Sequence, residues 1–103
     1  MKQEPLYVTV LLREGYGDAG TCRTGREFIL KKERDNIYDD EAIAVYSLQG
    51  IKSGYVANSV GTVVRGTHSA GYVYERIPEE VCCTVRFASP DSVIASIEDD
   101  EER

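Results

Sequence analysis

The stretch from Asp35 to Val45, Asp-Asn-Ile-Tyr-Asp-Asp-Glu-Ala-Ile-Ala-Val, places three side chains with binding chemistry close together. Asn36 supplies an amide, Tyr38 an aromatic ring and Asp39 a carboxylate. An aromatic ring can stack on a nucleic-acid base, and a carboxylate can accept a hydrogen bond from a hydroxyl group. Asn and Asp are also typical of turns, where their side chains bond nearby backbone. The pattern favours a binding site on a turn that leads into an apolar strand.

Two residues that follow the first apolar stretch offer chemistry of the same kind. Arg13 can pair with a phosphate, and Tyr16 supplies a second ring for stacking. The sequence therefore predicts a site that binds nucleic acid through stacking and charged hydrogen bonds. Its residues are Arg13, Tyr16, Asn36, Tyr38 and Asp39.

The residues alone leave other interpretations open. Asn36 and Asp39 would have a purely structural role if they only capped backbone groups while Tyr38 packed against Tyr55 in the core. A second function class is a protein-interaction module without nucleic-acid affinity, with residues 72–74 as an exposed strand edge and the acidic tail as a partner handle. A third class is a metal-assisted nuclease or other hydrolase.

The elements that must position the turn are predicted from short apolar stretches separated by Gly-, Pro- and Asp-containing turns. The predicted strands are residues 6–12, 27–32, 43–47, 53–56, 71–77, 81–87 and 93–97. Asn58 or Ser59 is suited to cap a short helix that would end near Gly66. Many short strands with one or two short helices indicate a mainly β fold, a small OB-like antiparallel barrel, rather than a doubly wound α/β fold.

The turn and the following strands resemble a known family signature. Asn36-Ile37-Tyr38-Asp39, continued by Ala42, Ile43 and Val45, resembles the pattern Asn-x-Tyr-Asp-x-x-Ala-Ile-x-Val of the HIRAN domain. Gly54-Tyr55-Val56 resembles the next strand of that family. The resemblance spans residues 8–87 and is that of a free-standing bacterial or phage HIRAN protein.

The resemblance implies an OB-like barrel that binds the 3′ end of single-stranded DNA in DNA repair. By motif match, Tyr38 and Asp39 would contact the terminal nucleotide and its 3′-hydroxyl, and Asn36 would shape the turn. The family's Arg-Tyr pair would correspond to Arg13 and Tyr16, which two residues separate here. The family's basic or Pro-containing pair after the Gly-Tyr-Val strand is replaced by residues 57–59, Ala-Asn-Ser, so one phosphate contact is expected to be missing.

Length and charge limit how such a site could work. The 103 residues are enough for one domain, which we expect over residues 1–97, followed by an acidic C-terminal tail at 98–103. The net charge is −6, of which the last six residues contribute −4. Because the remaining chain is not basic, binding should depend on stacking and end recognition more than on phosphate neutralisation.

The sequence gives little support for a metal, a cofactor or catalysis. Cys22, Cys82 and Cys83 are an odd set without zinc-ligand spacing, so we expect reduced thiols and no metal. The Gly-x-Gly-x-x-Gly match at residues 15–20 has no helix-forming sequence after it, which argues against a dinucleotide cofactor. The lone His68 lies in a Gly-rich segment, and no enzymatic activity is expected. With no apolar stretch suited to a signal peptide or a membrane span, a cytoplasmic location is expected.

Overall fold

The structure is a computed structural model that describes residues 5–12, 23–88 and 93–97. Within these ranges it contains six strands and one short helix in the order β1, β2, β3, β4, α1, β5, β6. Their bounds are β1 Leu6–Leu12, β2 Glu27–Lys32, β3 Ile43–Tyr46, β4 Lys52–Val56, α1 Ala70–Tyr74, β5 Glu80–Ala88 and β6 Val93–Ile97.

The strands form a closed barrel in the order β1-β4-β3-β2-β5-β6, and every neighbouring pair is antiparallel. Closure gives each of the six strands two hydrogen-bonded neighbours, so the sheet formed by the described residues has no open edge. The predicted small antiparallel barrel is therefore confirmed. Strands β1, β2 and β6 have the predicted bounds, and the others begin or end within a residue of them.

Alternating side chains of the strands fill the barrel interior. Phe28 and Leu30 on β2 are fully buried, as are Val45 on β3 and Val8 and Val10 on β1. Successive residues of a strand point to opposite faces, which explains why Cys83 is buried while Cys82 beside it is exposed. Cys22 lies outside the described residues.

The prediction of a strand at residues 71–77 is wrong, because this segment contains helix α1. The hydroxyl of Ser69 caps the helix by accepting a hydrogen bond from the backbone N–H of Tyr72 at 3.2 Å. Val73 is 0 % exposed and packs with the barrel core. Burial of this helix face outweighs the β propensity of Tyr-Val-Tyr. Residues 72–74 therefore do not form the exposed strand edge that was expected for an interaction module.

The predicted helix after Asn58 is replaced by turns. The carbonyl of Ser59 accepts hydrogen bonds from the N–H groups of Thr62 and Val63, both at 3.0 Å, and no regular helix continues from there. Three β-branched valines within residues 60–64 make helix formation unfavourable. The structure therefore has one helix within the described residues.

Gly54 on β4 is required by the close approach of β1. A Cβ atom at this position would lie 2.1 Å from the carbonyl oxygen of Leu11 and 3.0 Å from the Cα of Leu12. Both contacts are with backbone atoms, which cannot move aside without disturbing the pairing of β1 with β4.

We expect Gly54→Ala to lower the free energy of unfolding by about 3 kcal/mol or more, because the added methyl group overpacks the barrel wall. Gly61→Ala is the matched control, since nothing lies within 4 Å of a Cβ at that position. Urea unfolding of both variants gives the comparison. Equal midpoints for the two variants would show that β1 and β4 tolerate a wider separation.

Candidate functional site

The side chain of Asn36 shapes the turn that carries Tyr38. Its Oδ1 accepts hydrogen bonds from the backbone N–H groups of Tyr38 at 2.8 Å and Asp39 at 3.0 Å. This arrangement leaves Tyr38 91 % exposed. The alternative in which Tyr38 packs in the core is therefore wrong, whereas backbone capping by Asn36 is confirmed.

Asp39 is half-buried beside Tyr38 and joins the turn to the segment after β4. One carboxylate oxygen accepts from the N–H of Glu41 at 2.9 Å, and the other accepts from Nδ2 of Asn58 at 3.3 Å. The Oδ1 of Asn58 accepts in turn from the N–H of Gly71 at 2.8 Å. A carboxylate has four acceptor positions in all, so these bonds leave Asp39 able to accept another hydrogen bond.

Beneath the turn, the carboxylate of Glu33 binds three donors. Nδ2 of Asn36 donates to Oε1 at 2.9 Å, and the hydroxyl of Tyr55 donates to the same oxygen at 2.7 Å. Nζ of Lys52 donates to Oε2 at 2.6 Å and also contacts the Tyr55 hydroxyl at 2.6 Å. We call these four residues the Glu33 cluster. It ties the turn to strand β4.

The Glu33 cluster changes the pKa values of its charged members. Partial burial disfavours the charged carboxylate of Glu33, but the donated hydrogen bonds of Lys52, Asn36 and Tyr55 outweigh burial and lower its pKa below the ordinary value of 4.5. The hydrogen bond to Glu33, with that to Tyr55, raises the pKa of Lys52. Both groups are charged at neutral pH.

A groove of about 450 Å³ lies next to the turn. Its apolar lining comes from Leu11, Ala42, Val56 and Ala57, together with the ring of Tyr55. Its polar lining comes from side chains of the turn and of the segment after β4. These residues are Asn36, Tyr38, Asp39, Asn58, Ser59 and Thr62. The groove thus combines an apolar surface, an exposed ring and several hydrogen-bonding groups.

The groove has an acidic surrounding. Asp35, Asp40 and Glu41 flank Asp39 along the chain, and no lysine or arginine is among the described residues that line the groove. Over all described residues the charges balance, with nine Lys and Arg against nine Asp and Glu. A negative charge at the groove is therefore a local feature of the turn.

The predicted site residues Asn36, Tyr38 and Asp39 lie together at the groove. Arg13 and Tyr16 lie outside the described residues, and so does the glycine motif at 15–20. Strand β1, which Arg13 follows in the sequence, contributes Leu11 to the groove.

Three further residues of the site were not predicted from the sequence: Glu33, Lys52 and Asn58. Glu33 and Lys52 are 19 residues apart, and a single charged residue at the end of a strand gives no signal of its partner. Asn58 gave only a signal for a helix cap.

Comparisons with known proteins support the fold. No protein-family model matches the chain, and no curated protein matches it. The crystal structure of a protein from Lactobacillus plantarum is similar, with a TM-score of 0.63 and 23 % identity over 91 % of each chain. At this identity the similarity shows the fold alone.

The described residues contain neither a group of metal ligands nor a helix that could span a membrane. Among them, no three His, Cys, Asp or Glu side chains are grouped closely enough to hold a metal ion. Within the same ranges, no helix has the length and hydropathy needed to cross a bilayer.

The lowered pKa of Glu33 predicts a pH dependence of stability. As the pH falls, Glu33 takes up a proton in the unfolded state before it does so in the folded state. The contribution of Glu33 to the free energy of unfolding is therefore complete above about pH 4.5 and is lost as the pH falls through the folded pKa. We therefore expect Glu33→Gln to show a smaller loss of stability between about pH 6 and about pH 3 than the wild type. Urea unfolding at both pH values measures this.

Glu27→Gln is the control for this experiment, because Glu27 is an exposed glutamate on β2. It should keep the pH dependence of the wild type. If the stability of Glu33→Gln depends on pH as that of the wild type does, the cluster does not hold Glu33 ionised.

Proposed function

We propose that this protein binds the 3′ ends of single-stranded DNA in the groove beside Tyr38. The observation that carries the proposal is the ring of Tyr38, which is 91 % exposed although its backbone is held by Asn36. An exposed ring on a fixed turn is suited to stack on a base, because little conformational freedom is lost on binding. The resemblance of this turn to the HIRAN signature supports the same function.

The acidic surrounding of the groove favours an end over an internal nucleotide. An internal nucleotide has a phosphate on both sides, and the phosphate on the 3′ side would meet Asp39 and its acidic neighbours. A 3′ end presents a neutral hydroxyl instead, which can donate a hydrogen bond to the carboxylate of Asp39. The repulsion of an internal phosphate and the hydrogen bond from the 3′-hydroxyl both favour binding of a 3′ end.

Affinity in this account is modest and depends little on salt. The groove lining has no cation among the described residues, and Arg13 with Tyr16 is assigned to the site from the sequence only. If one or two phosphates are neutralised, the slope of log affinity against log salt lies between about −0.7 and −1.4 for a single strand. A basic groove that contacts many phosphates has a much steeper slope.

A second candidate function is binding of a basic, partly apolar peptide. It is favoured by two exposed aliphatic side chains on the segments that flank the groove, Ile37 at 84 % and Val60 at 97 % exposure. The acidic turn would attract lysine or arginine side chains. If this second function is correct, apolar peptides that contain lysine bind the protein, and single-stranded DNA does not.

We expect Tyr38→Ala to weaken binding of a 3′-hydroxyl oligonucleotide by roughly 1–3 kcal/mol, because one base loses its stacking surface. Tyr38→Phe keeps the ring and should bind like the wild type. Fluorescence anisotropy with a 5′-labelled strand measures both. An unchanged affinity in Tyr38→Ala would exclude stacking at this position.

Asp39→Ala and Asp40→Ala separate hydroxyl recognition from simple electrostatics. Both changes remove one negative charge from the turn, so electrostatics alone predicts tighter DNA binding by both variants. Hydroxyl recognition predicts that only Asp39→Ala loses the preference for a free 3′-hydroxyl over a 3′-phosphate. The ratio of the two affinities is measured for each variant. If both variants bind tighter and keep the ratio of the wild type, Asp39 does not contact the 3′ end.

A further inference from the structure

Helix α1 connects the groove to a second group of side chains. The N–H of Gly71 bonds Asn58, a residue of the groove lining, so this part of α1 borders the groove. Tyr74 is three residues further along the helix, and residues three apart lie on the same face of a helix. Tyr74 therefore lies one helical turn from the edge of the groove.

Two cations surround the ring of Tyr74. Nζ of Lys32 lies 4.8 Å from the ring centroid, and Cζ of Arg34 lies 5.9 Å from it. Arg34 precedes Asn36 by two residues, so the turn borders this group from the other side. We call Lys32, Arg34 and Tyr74 the Tyr74 patch. Among the described residues, Lys32 forms no ion pair.

The Tyr74 patch already holds an oxyanion. Nε of Arg34 donates to Oε2 of Glu79 at 2.7 Å, and Nη2 of the same guanidinium contacts the same oxygen. The hydrogen bonds from Arg34 and the nearby charge of Lys32 lower the pKa of Glu79. Both partners of this ion pair are exposed, and exposed pairs contribute little to stability. A phosphate can therefore take the place of the carboxylate at little cost.

We propose that the Tyr74 patch binds backbone phosphates on the 5′ side of the terminal nucleotide, in a single strand whose 3′ end occupies the groove. This inference rests on the proposed function. A strand that ends with its hydroxyl at Asp39 has all its phosphates on the 5′ side, and α1 leads from the groove to the patch. Arg34 presents a planar donor group that suits a phosphate, and Lys32 adds a second charge.

The adjacent lysines of β2 provide a matched test. Lys31 points to the opposite face of the strand, where its Nζ lies 3.6 Å from Glu80 and 5.2 Å from the ring of Tyr46. We expect Lys32→Gln to weaken binding of a 3′-hydroxyl oligonucleotide about 3- to 10-fold at low salt and to make the salt slope shallower by about 0.7. Lys31→Gln removes the same charge and should change affinity less than about two-fold.

Substitution of Glu79 should have the opposite effect on DNA affinity, with the adjacent Glu80 as its control. Glu79→Gln frees Arg34 and removes the carboxylate that competes with phosphate, so binding should tighten several-fold. Glu80→Gln removes the same charge beside Lys31 and should have a much smaller effect. Urea unfolding of all four variants verifies that the barrel remains folded.

The outcomes separate this inference from the proposed function. If wild-type protein has no affinity for a 3′-hydroxyl oligonucleotide, the proposed function is wrong and the patch proposal falls with it. If binding needs Tyr38 and a free 3′-hydroxyl, but Lys32→Gln and Lys31→Gln behave alike, only the patch proposal is overturned. Larger effects in Lys32→Gln and Glu79→Gln than in their neighbours, in opposite directions, support the patch.

Discussion

The candidate site depends on the hydrogen bonds made to the half-buried carboxylate of Glu33. A charged group removed from water must be compensated by hydrogen bonds, and Glu33 receives three of them, from Asn36, Tyr55 and Lys52. The donors come from the turn after β2 and from β4, so satisfying one carboxylate fixes the turn against the barrel wall. With its amide nitrogen bound to Glu33, Asn36 presents its oxygen to the backbone of the Tyr38 turn. The exposed ring of Tyr38 is thus positioned through the hydrogen bonds of Asn36 to Glu33 and to the turn backbone.

The barrel makes this cluster possible through an irregularity in the pairing of β3 with β4. Val45 pairs with Gly54, but Tyr46 pairs with Lys52, so one extra residue is accommodated on β4. In a regular strand, residues three apart point to opposite faces. The bulge changes this alternation, and Lys52 and Tyr55 can both reach the carboxylate of Glu33. Gly54, within the same stretch, permits the contact with β1 that closes the barrel. The Gly-Tyr-Val stretch therefore serves closure and the site together.

Sequence reasoning succeeded where the signal is local and failed where partners are distant in the chain. The strand bounds of β1, β2 and β6 and the turn geometry of Asn36 follow from residue types and their neighbours. The segment at 71–77 could not be assigned correctly, because its Tyr-Val-Tyr stretch favours a strand and only the packing of Val73 against the barrel selects a helix. The Glu33 cluster could not be predicted either, since it requires a β-bulge that no residue type in the sequence indicates. From the sequence, Tyr38 could either stack on a base or pack in the core, and the structure decides for the exposed ring.

The central claim is that a preformed groove beside Tyr38 receives the 3′ end of a single strand. Its most direct test is a titration of ¹⁵N-labelled protein with two short DNA strands of identical sequence, one with a 3′-hydroxyl and one with a 3′-phosphate, followed by amide NMR. The account predicts that the 3′-hydroxyl strand shifts the amide signals of Tyr38, Asp39 and Asn58, and that the 3′-phosphate strand shifts them far less at the same concentration. Equal shifts with both strands, or shifts confined to other parts of the barrel, would contradict it.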